Sequence, residues 1–182
     1  MSSPPTPFSG MLLHALRLLS GRPHSSAELT TKLAALCKRR KQSKISSVRG
    51  IYGDAQVDCS VVTAAVIKDL SERKLLDDPE FARWHVENRV RYRPRSKIEL
   101  AFELKGKGIA AASVNRVISE EHFDEEAACA AITFRQRRSK NDEKMTNYLA
   151  RRGFPFRMIK ATLQKKNAEE TALKSDEHSL LK

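Results

Sequence analysis

Apolar residues recur along most of this chain at intervals of three and four positions, the spacing of one face of an α-helix. Leu12, Leu16 and Leu19 are the first example. No segment sustains the alternation of apolar and polar residues that is typical of a half-buried strand. The pattern therefore predicts an all-α protein with helices over residues 11–20, 26–38, 60–73, 79–92, 97–107, 111–121, 125–138, 142–152 and 156–165.

Polar residues mark where several of these helices begin. Ser25 precedes Glu28 by three positions in "SSAE", and Ser96 precedes Glu99 in the same way in "SKIE". Both patterns predict a capping box, in which the hydroxyl and the carboxylate each bind a free backbone N–H of the first turn.

The stretch "DDPEF" predicts a further helix start. Asp78 is a favourable N-cap, Pro79 suits the first helical position because no N–H is needed there, and Asp77 adds favourable charge. The adjacent carboxylates also resemble a catalytic pair, but capping explains them without chemistry. Phe81 and Trp84 share a face of the same helix, where we expect core residues rather than base-stacking platforms.

An internal repeat of about 45 residues organises the second half of the chain. "LKGKGIAAASVNRVI" aligns with "LARRGFPFRMIKATL" without a gap. Each copy predicts a helix, a capping glycine in the left-handed conformation, and a short second helix. The matched pairs are Leu100/Met145, Leu104/Leu149, Gly108/Gly153, Ile109/Phe154, Val114/Ile159 and Ile118/Leu163.

The glycines of "LKGKGI" also suggest a phosphate-binding loop, but the spacing excludes it. In the G-x-x-x-x-G-K-[ST] motif, Ala101 would occupy the first glycine position and Gly108 the Ser/Thr position, and a helix precedes the stretch. Gly108 is therefore predicted to be a helix cap.

A weaker copy of the repeat lies near the N-terminus. Leu29 and Leu33 match its first helix, Val66 and Leu70 match its second, and residues 37–58 replace the glycine turn. "DPEFARWHVENR" and "DEEAACAAITFRQR" supply a closing helix to the first two copies. The sequence thus predicts a disordered N-terminus over 1–10, three-helix repeats over 11–92, 97–138 and a shortened 142–165, a basic loop insertion at 37–58, and a polar flexible tail over 166–182.

The formal net charge of +12 and the pI near 9.9 favour a polyanionic partner, with nucleic acid more strongly indicated than an anionic membrane surface.

Cys37, Cys59 and Cys129 lack C-x-x-C spacing, so neither a disulfide framework nor a zinc site is indicated. This cysteine usage fits a reducing, cytoplasmic location. No apolar run approaches the roughly 18 residues of a membrane span. No Asp or Glu precedes Glu28, a composition that also fits an organelle transit peptide, although the leucine spacing favours a first helix.

Several of these elements together resemble the RecX regulatory proteins, which modulate the RecA recombinase. They are "ALRLLSGRPHSSAELTTKL" (15–33), "LLDDPEFARWHVENR" (75–89), "SKIELAFELKGKGI" (96–109) and "KMTNYLARRGF" (144–154). The resemblance implies an elongated, curved all-α array that lodges in the groove of a RecA–DNA filament and lowers its ATP hydrolysis and strand exchange. The chain departs from the family pattern at 37–58, where the first repeat lacks its glycine turn. That insertion, with "KRRK" at 38–41, fits a solvated loop, an extra DNA contact or a nuclear-targeting patch.

The candidate binding surface is basic. Cations beside helix C-termini also complement the helix dipole, but clusters at equivalent ends of successive repeats suggest a stripe for phosphates or an acidic filament groove. We expect that reversing the charges of Arg93, Arg95 and Lys97 abolishes DNA or filament binding while the helices persist. The candidates are Arg89, Arg91, Arg93, Arg95, Lys97, Lys105, Lys107, Arg135, Arg137, Arg138, Lys140, Arg151 and Arg152.

No catalytic, cofactor or metal site is predicted, because the histidines lack H-E-x-x-H spacing and no nucleophile–base set is visible. The leading hypothesis is a monomeric, non-enzymatic regulator whose partners are a RecA-type recombinase filament and single- or double-stranded DNA, with no membrane partner. A stand-alone DNA-binding module is the alternative. Pure phosphate binding weakens steeply with salt, whereas filament binding needs the nucleotide-bound recombinase.

Overall fold

The computed structural model describes residues 6–42, 58–119, 124–135 and 142–180. Within these ranges the regular elements are helices and no strand occurs, so the prediction of an all-α protein is confirmed. The helices are α1 (Pro7–Gly21), α2 (Ser26–Lys41), α3 (Cys59–Glu72), α4 (Asp78–Tyr92), α5 (Lys97–Gly106), α6 (Ala111–Ser119), α7 (Glu125–Arg135), α8 (Asp142–Arg151) and α9 (Phe156–Leu180).

The chain is more helical than the sequence predicts at its two ends and at residues 37–41, which belong to α2 rather than to the predicted loop. Residues 43–57 of that loop lie outside the described residues. α1 begins at Pro7, where Thr6 is the N-cap and its hydroxyl accepts a hydrogen bond from the N–H of Ser9. Residues 7–10, predicted to be disordered, are therefore helical. α9 continues to Leu180, well past the predicted end at 165, so the segment predicted as a tail is helical as far as that residue. None of the described helices is long and apolar enough to cross a membrane.

The chain forms two compact units. The first comprises Met1–Trp84 with Lys105–Ser113. There α3 packs against α1 and α2, and the core is built from the apolar stripes of those helices. Its fully buried members are Met11, Ala15, Leu29, Leu33, Cys37, Val66 and Leu70.

The second compact unit comprises His85–Leu104 with Val114–Lys182. In this unit α9 packs against α7 and α8. Repeat positions matched in the sequence supply fully buried core residues, among them Leu100, Leu104, Leu149 and Ile159. The three sequence repeats therefore do not correspond one to one with compact units, because residues of repeats 1 and 2 share the first unit.

The capping glycines are confirmed. Gly108 and Gly153 have φ of 78° and 80°, the left-handed region that favours glycine. The N–H of Gly108 donates to the carbonyl of Lys105 at 2.9 Å, and the N–H of Phe154 donates to that of Leu149 at 3.3 Å. Both turns use carbonyls that would otherwise be left free at a helix end.

The predicted capping boxes are half right. The hydroxyls of Ser25 and Ser96 accept from the N–H groups of Glu28 at 3.1 Å and Glu99 at 3.2 Å, as expected. The carboxylates, however, pair with basic side chains rather than completing the box. An ion pair with a neighbouring cation takes the place of that N–H contact in both copies.

The prediction that Asp78 is the N-cap of α4 is wrong. Asp77 takes this role, since its Oδ1 accepts from the N–H of Glu80 at 2.8 Å. Asp78 Oδ1 instead accepts from the N–H of Ser26 at 2.8 Å, and so binds the start of α2. Phe81 is buried and lies 5.8 Å from the half-buried Trp84 between ring centres, in agreement with the predicted core role.

The expectation of no disulfide is also wrong, so the cysteines no longer argue for a reducing location. Cys37 near the end of α2 and Cys59 at the start of α3 form a disulfide, with Cα atoms 6.0 Å apart. No spacing motif signals this pair, because packing of α2 against α3 brings the two residues together. Cys129 is a free, buried thiol, and burial raises its pKa.

Candidate functional site

The start of α2 is joined to the glycine turn that follows α5, within the first compact unit. Ser25 Oγ donates to the carbonyl of Lys107 at 2.7 Å, and the Lys107 ammonium pairs with the Glu28 carboxylate. Gly108 lies directly against Ala27, since a Cβ on that glycine would be 2.4 Å from the Ala27 Cβ. A serine, a carboxylate and a glycine thus join repeat 1 to repeat 2.

The same joint recurs between repeats 2 and 3, within the second compact unit. Ser96 Oγ donates to the carbonyl of Arg152, whose guanidinium lies 3.8 Å from the Glu99 carboxylate. A Cβ on Gly153 would be 3.1 Å from the Ile98 Cβ. Both joints therefore use equivalent sequence positions.

A further hydrogen bond closes each joint from the neighbouring helix. Asp78 Oδ1 binds the N–H of Ser26, and Glu125 Oε1 binds the N–H of Lys97 at 2.8 Å. A carboxylate facing helix N-terminal N–H groups also interacts favourably with the helix dipole. The first N–H of α2 and that of α5 are satisfied in the same manner.

These joints give a structural reason for two of the predicted binding residues. Lys107 and Arg152 occupy matching positions before the capping glycines because each pairs with the carboxylate of the preceding repeat. Burial opposes ionisation of Glu28, but hydrogen bonds and charge from Lys107 and Arg22 outweigh it and hold its pKa below the usual range. The equivalence of the two cations therefore reflects the joint and needs no ligand.

Two more predicted residues belong to an ion-pair cluster around Glu103, in the second unit. Glu103 Oε2 lies 2.9 Å from His85 Nε2 and accepts from Arg89 Nε at 2.7 Å. Arg95 Nε lies 3.3 Å from Glu103 Oε1, and Arg95 Nη1 donates to Glu99 Oε1 at 3.0 Å. The side chains of Arg89 and Arg95 are only 23% and 18% exposed, so the cluster is largely shielded from solvent. Its ion pairs link α4 to α5.

The same turn presents other cations to solvent. Arg91, Arg93 and Lys97 are exposed, as is Tyr92 at 60%, and the Arg91 guanidinium lies 5.7 Å from the centre of the Tyr92 ring. We call these four residues the basic turn. The ion pairs behind it hold the ends of α4 and α5, so the basic turn is an exposed group of charges on a fixed backbone.

Of the remaining candidates, Lys105, Arg135 and Arg151 lie in the described part of the chain. Lys105 in the first unit and Arg151 in the second are exposed. Arg135 is the last residue of α7, and three further candidates lie outside the described residues: Arg137, Arg138 and Lys140. A continuous stripe through all thirteen candidates stays a prediction.

Sequence reasoning missed an apolar feature beside the basic turn. Ile98 and Phe102 are one helical turn apart on α5, yet they are 68% and 79% exposed. The signal was available, because Leu100 and Leu104 already supply the buried face of α5. Apolar residues at 98 and 102 fall outside that face and point to a contact surface.

In the part of the chain that the structure describes, no group of three or more His, Cys, Asp and Glu residues is arranged to hold a metal ion. The site is therefore described by its charge and its exposed apolar and aromatic side chains.

Comparisons with known proteins agree on a single family, although no model of a protein family matches the chain. The regulatory protein RecX of Chlorobium phaeobacteroides is 31% identical over 155 residues, which cover 82% of this chain and 88% of that protein. The regulatory protein RecX of Serratia proteamaculans is 32% identical over 128 residues, covering 69% and 67%. The crystal structure of RecX from Lactobacillus salivarius superposes with a TM-score of 0.62 at 16% identity, over 89% of this chain and 97% of that one. The chain belongs to the RecX family of regulatory proteins.

Proposed function

We propose that this chain is a non-enzymatic cytoplasmic regulator that binds RecA-type recombinase filaments on DNA and inhibits their ATP hydrolysis and strand exchange. It would thereby act in the control of DNA repair and recombination. Membership of the family of regulatory proteins supports this role. The observation in the molecule that carries the proposal is the basic turn with its ion-pair support.

The charges of the turn are divided between two tasks. Arg89 and Arg95 pair with Glu103, whereas Arg91, Arg93 and Lys97 face solvent. The exposed cations are therefore available for an anionic partner, and the paired ones hold the backbone. A site on a fixed backbone loses less conformational entropy on binding than a mobile loop would.

Ile98 and Phe102 support a protein partner in addition to DNA. Phosphate binding requires only cations, and its strength falls steeply with salt. Exposed apolar side chains next to cations favour a mixed contact, in which apolar burial persists at salt concentrations that screen the charges. Ile98 has no ring on which a base could stack, so it favours a protein partner, whereas Phe102 would serve a protein and single-stranded DNA alike.

A stand-alone DNA-binding module is the second candidate, because the basic turn and the net charge of +12 would serve it equally well. The two functions differ in what they require. A filament regulator lowers the recombinase ATPase at substoichiometric amounts, beyond what competition for DNA explains. A plain DNA binder lowers that activity only as far as it occupies the DNA.

The test is a titration of DNA-dependent ATP hydrolysis by a RecA recombinase at moderate salt. The variant carries Arg91→Glu, Arg93→Glu and Lys97→Glu, and it spares Arg95, because reversing that charge would disrupt the Glu103 cluster. The matched control carries the same charge change at exposed cations of α6 and α9, namely Arg116→Glu, Arg157→Glu and Lys160→Glu.

We expect the wild type and the control to inhibit the ATPase and the basic-turn variant to lose inhibition, with unchanged helical content by circular dichroism. Inhibition that is equal in all three proteins would refute a role for the basic turn. Tight binding of the wild type to bare DNA without any effect on the ATPase would establish the stand-alone module instead.

A further inference from the structure

A second group of cations converges in the first compact unit, away from the residues singled out in the sequence. His14 and Arg17 lie one turn apart on α1, and Lys32, Arg39 and Arg40 lie on α2, which packs against α1. Burial and the charges of Arg40, Arg17, Arg39 and Lys32 together lower the pKa of His14. Basic side chains from two helices therefore act on the same imidazole.

The two helices supply few carboxylates to balance this charge. α1 contains no Asp or Glu, and Glu28 is the single acidic residue of α2. Glu28 lies in the first turn of α2, where it pairs with Lys107 and Arg22. The Glu28 carboxylate is therefore taken by residues other than Arg17, Lys32 and Arg39.

The helix dipole accounts for only part of this arrangement. It favours cations in the last turn of α2, where Lys38–Lys41, including Arg39, lie. Lys32 lies about 1.7 turns before Lys38, and Arg17 belongs to another helix, so neither gains from that dipole. The disulfide between Cys37 and Cys59 also attaches this end of α2 to α3, which keeps the cations in place beside α1.

We propose that Arg17, Lys32 and Arg39, with His14 beside them, form a second binding surface, the α1–α2 basic surface, which takes the phosphates of a nucleic-acid strand. It adds a DNA contact in the first compact unit to the one proposed at the basic turn in the second. The proposal does not depend on a recombinase partner, because bare DNA is enough to test it.

An anionic membrane is the competing ligand, since Leu13 and Leu16 are 53% and 38% exposed on α1. Interfacial helices bury a whole apolar face in the lipid. Here the apolar face of α1 is already occupied, because Met11 and Ala15 are fully buried in the core of the unit. Binding to lipid would require α1 to leave that core, whereas phosphates can reach the exposed cations directly.

The experiment measures binding of the full chain to a fluorescent single-stranded oligonucleotide by anisotropy over a range of salt concentrations. The variant carries Arg17→Gln and Arg39→Gln, both at exposed positions, and the control carries Arg116→Gln and Arg157→Gln. Removing two phosphate contacts lowers the slope of log affinity against log salt by about 1.4. We expect this decrease in the variant alone.

NMR of the wild-type protein locates the contact without a substitution in the α1–α2 basic surface. The imidazole NMR signals of His14, assigned by their loss in His14→Gln, should shift when the oligonucleotide is added to the wild type. An unchanged salt slope, or His14 signals that do not move at saturation, would overturn the proposal. The proposal would also be overturned if the Arg17→Gln, Arg39→Gln variant lost binding to phosphatidylglycerol vesicles but retained DNA binding, because the surface would then bind lipid.

The basic-turn variant separates this proposal from the proposed function. If Arg91→Glu, Arg93→Glu and Lys97→Glu remove ATPase inhibition while the Arg17→Gln, Arg39→Gln effect on DNA binding persists, both proposals hold. If the basic turn proves irrelevant to the recombinase, the anisotropy and His14 results still decide the α1–α2 basic surface by themselves.

Discussion

Replacing Gly108 with alanine tests the joint between repeats 1 and 2 at its narrowest point. The backbone there has φ of 78°, and an added Cβ would lie 2.4 Å from the Cβ of Ala27. Side-chain carbons do not approach one another so closely, and the neighbour is a helical Cβ that cannot rotate away. The substitution therefore imposes backbone strain and a steric clash together.

The size of the effect follows from these two terms. An L-residue in the left-handed region costs about 1–2 kcal/mol. Forcing a methyl group into a packed contact costs about 1–3 kcal/mol more. Gly108→Ala should therefore lower the free energy of unfolding by about 2–5 kcal/mol.

Gly106 supplies the matched control two residues earlier. It is the last residue of α5, and a Cβ there would meet no heavy atom within 4 Å. Because alanine is the better helix former and restricts the unfolded chain, Gly106→Ala should raise the free energy of unfolding by about 0.4–1 kcal/mol. The same substitution is therefore expected to lower the free energy of unfolding at Gly108 and to raise it at Gly106.

The assay is urea unfolding followed by the fluorescence of Trp84, the one tryptophan of the chain, which belongs to the same compact unit as Gly108. Ala27→Gly in the Gly108→Ala background should restore the part of the unfolding free energy that the steric clash removes. The part lost to backbone strain should remain lost. A double-mutant cycle would then give a coupling of about 1–3 kcal/mol. Equal effects of the two glycine substitutions, or strictly additive effects of Ala27→Gly and Gly108→Ala, would refute the joint as described.

Two further predictions concern the ion-pair cluster and the disulfide. Burial opposes ionisation of Glu103, but hydrogen bonds from His85 and Arg89 outweigh it, so its pKa is lowered. A lowered pKa contributes stability above the unfolded-state value that is lost as pH falls through the folded-state value. Glu103→Gln should therefore lose less unfolding free energy than the wild type between about pH 5 and 3 in urea titrations, and parallel losses would contradict this. The bond between Cys37 and Cys59, 22 positions apart, should contribute about 3 kcal/mol. A thiol reductant should shift the urea midpoint of the wild type but not that of Cys59→Ser, and an insensitive wild type would exclude the bond.

Local signals explain why much of the fold is predictable from the sequence. Helix periodicity depends on residues three and four apart, and a capping glycine depends on one φ angle, so both are encoded within a few positions. Even so, local reasoning misses a turn at a helix C-terminus that lacks glycine. Lys74 adopts φ of 56° after α3, and the N–H of Leu75 donates to the carbonyl of Leu70 at 2.9 Å.

The roles of charged residues are not local, and this is where sequence reasoning fails. Glu28 and Lys107 are 79 positions apart, so the sequence alone shows a capping carboxylate and a surface cation rather than one ion pair. The same applies to Asp78, whose partner Ser26 is 52 positions away. Both assignments require the packed structure, because only packing brings the Lys107 ammonium to Glu28 and the N–H of Ser26 to Asp78.

Cations at equivalent positions of successive repeats therefore serve to join the repeats more often than to bind a partner. Glu28 and Glu99 receive the cation of the next repeat, and at the matching position of repeat 3 the chain has Lys144. Repeat 3 therefore lacks the carboxylate that this joint uses. Cations with no counterpart in the other repeats, such as Arg91 on the basic turn and Arg17 on the α1–α2 basic surface, are the ones that architecture leaves unexplained, and the binding experiments are directed at them.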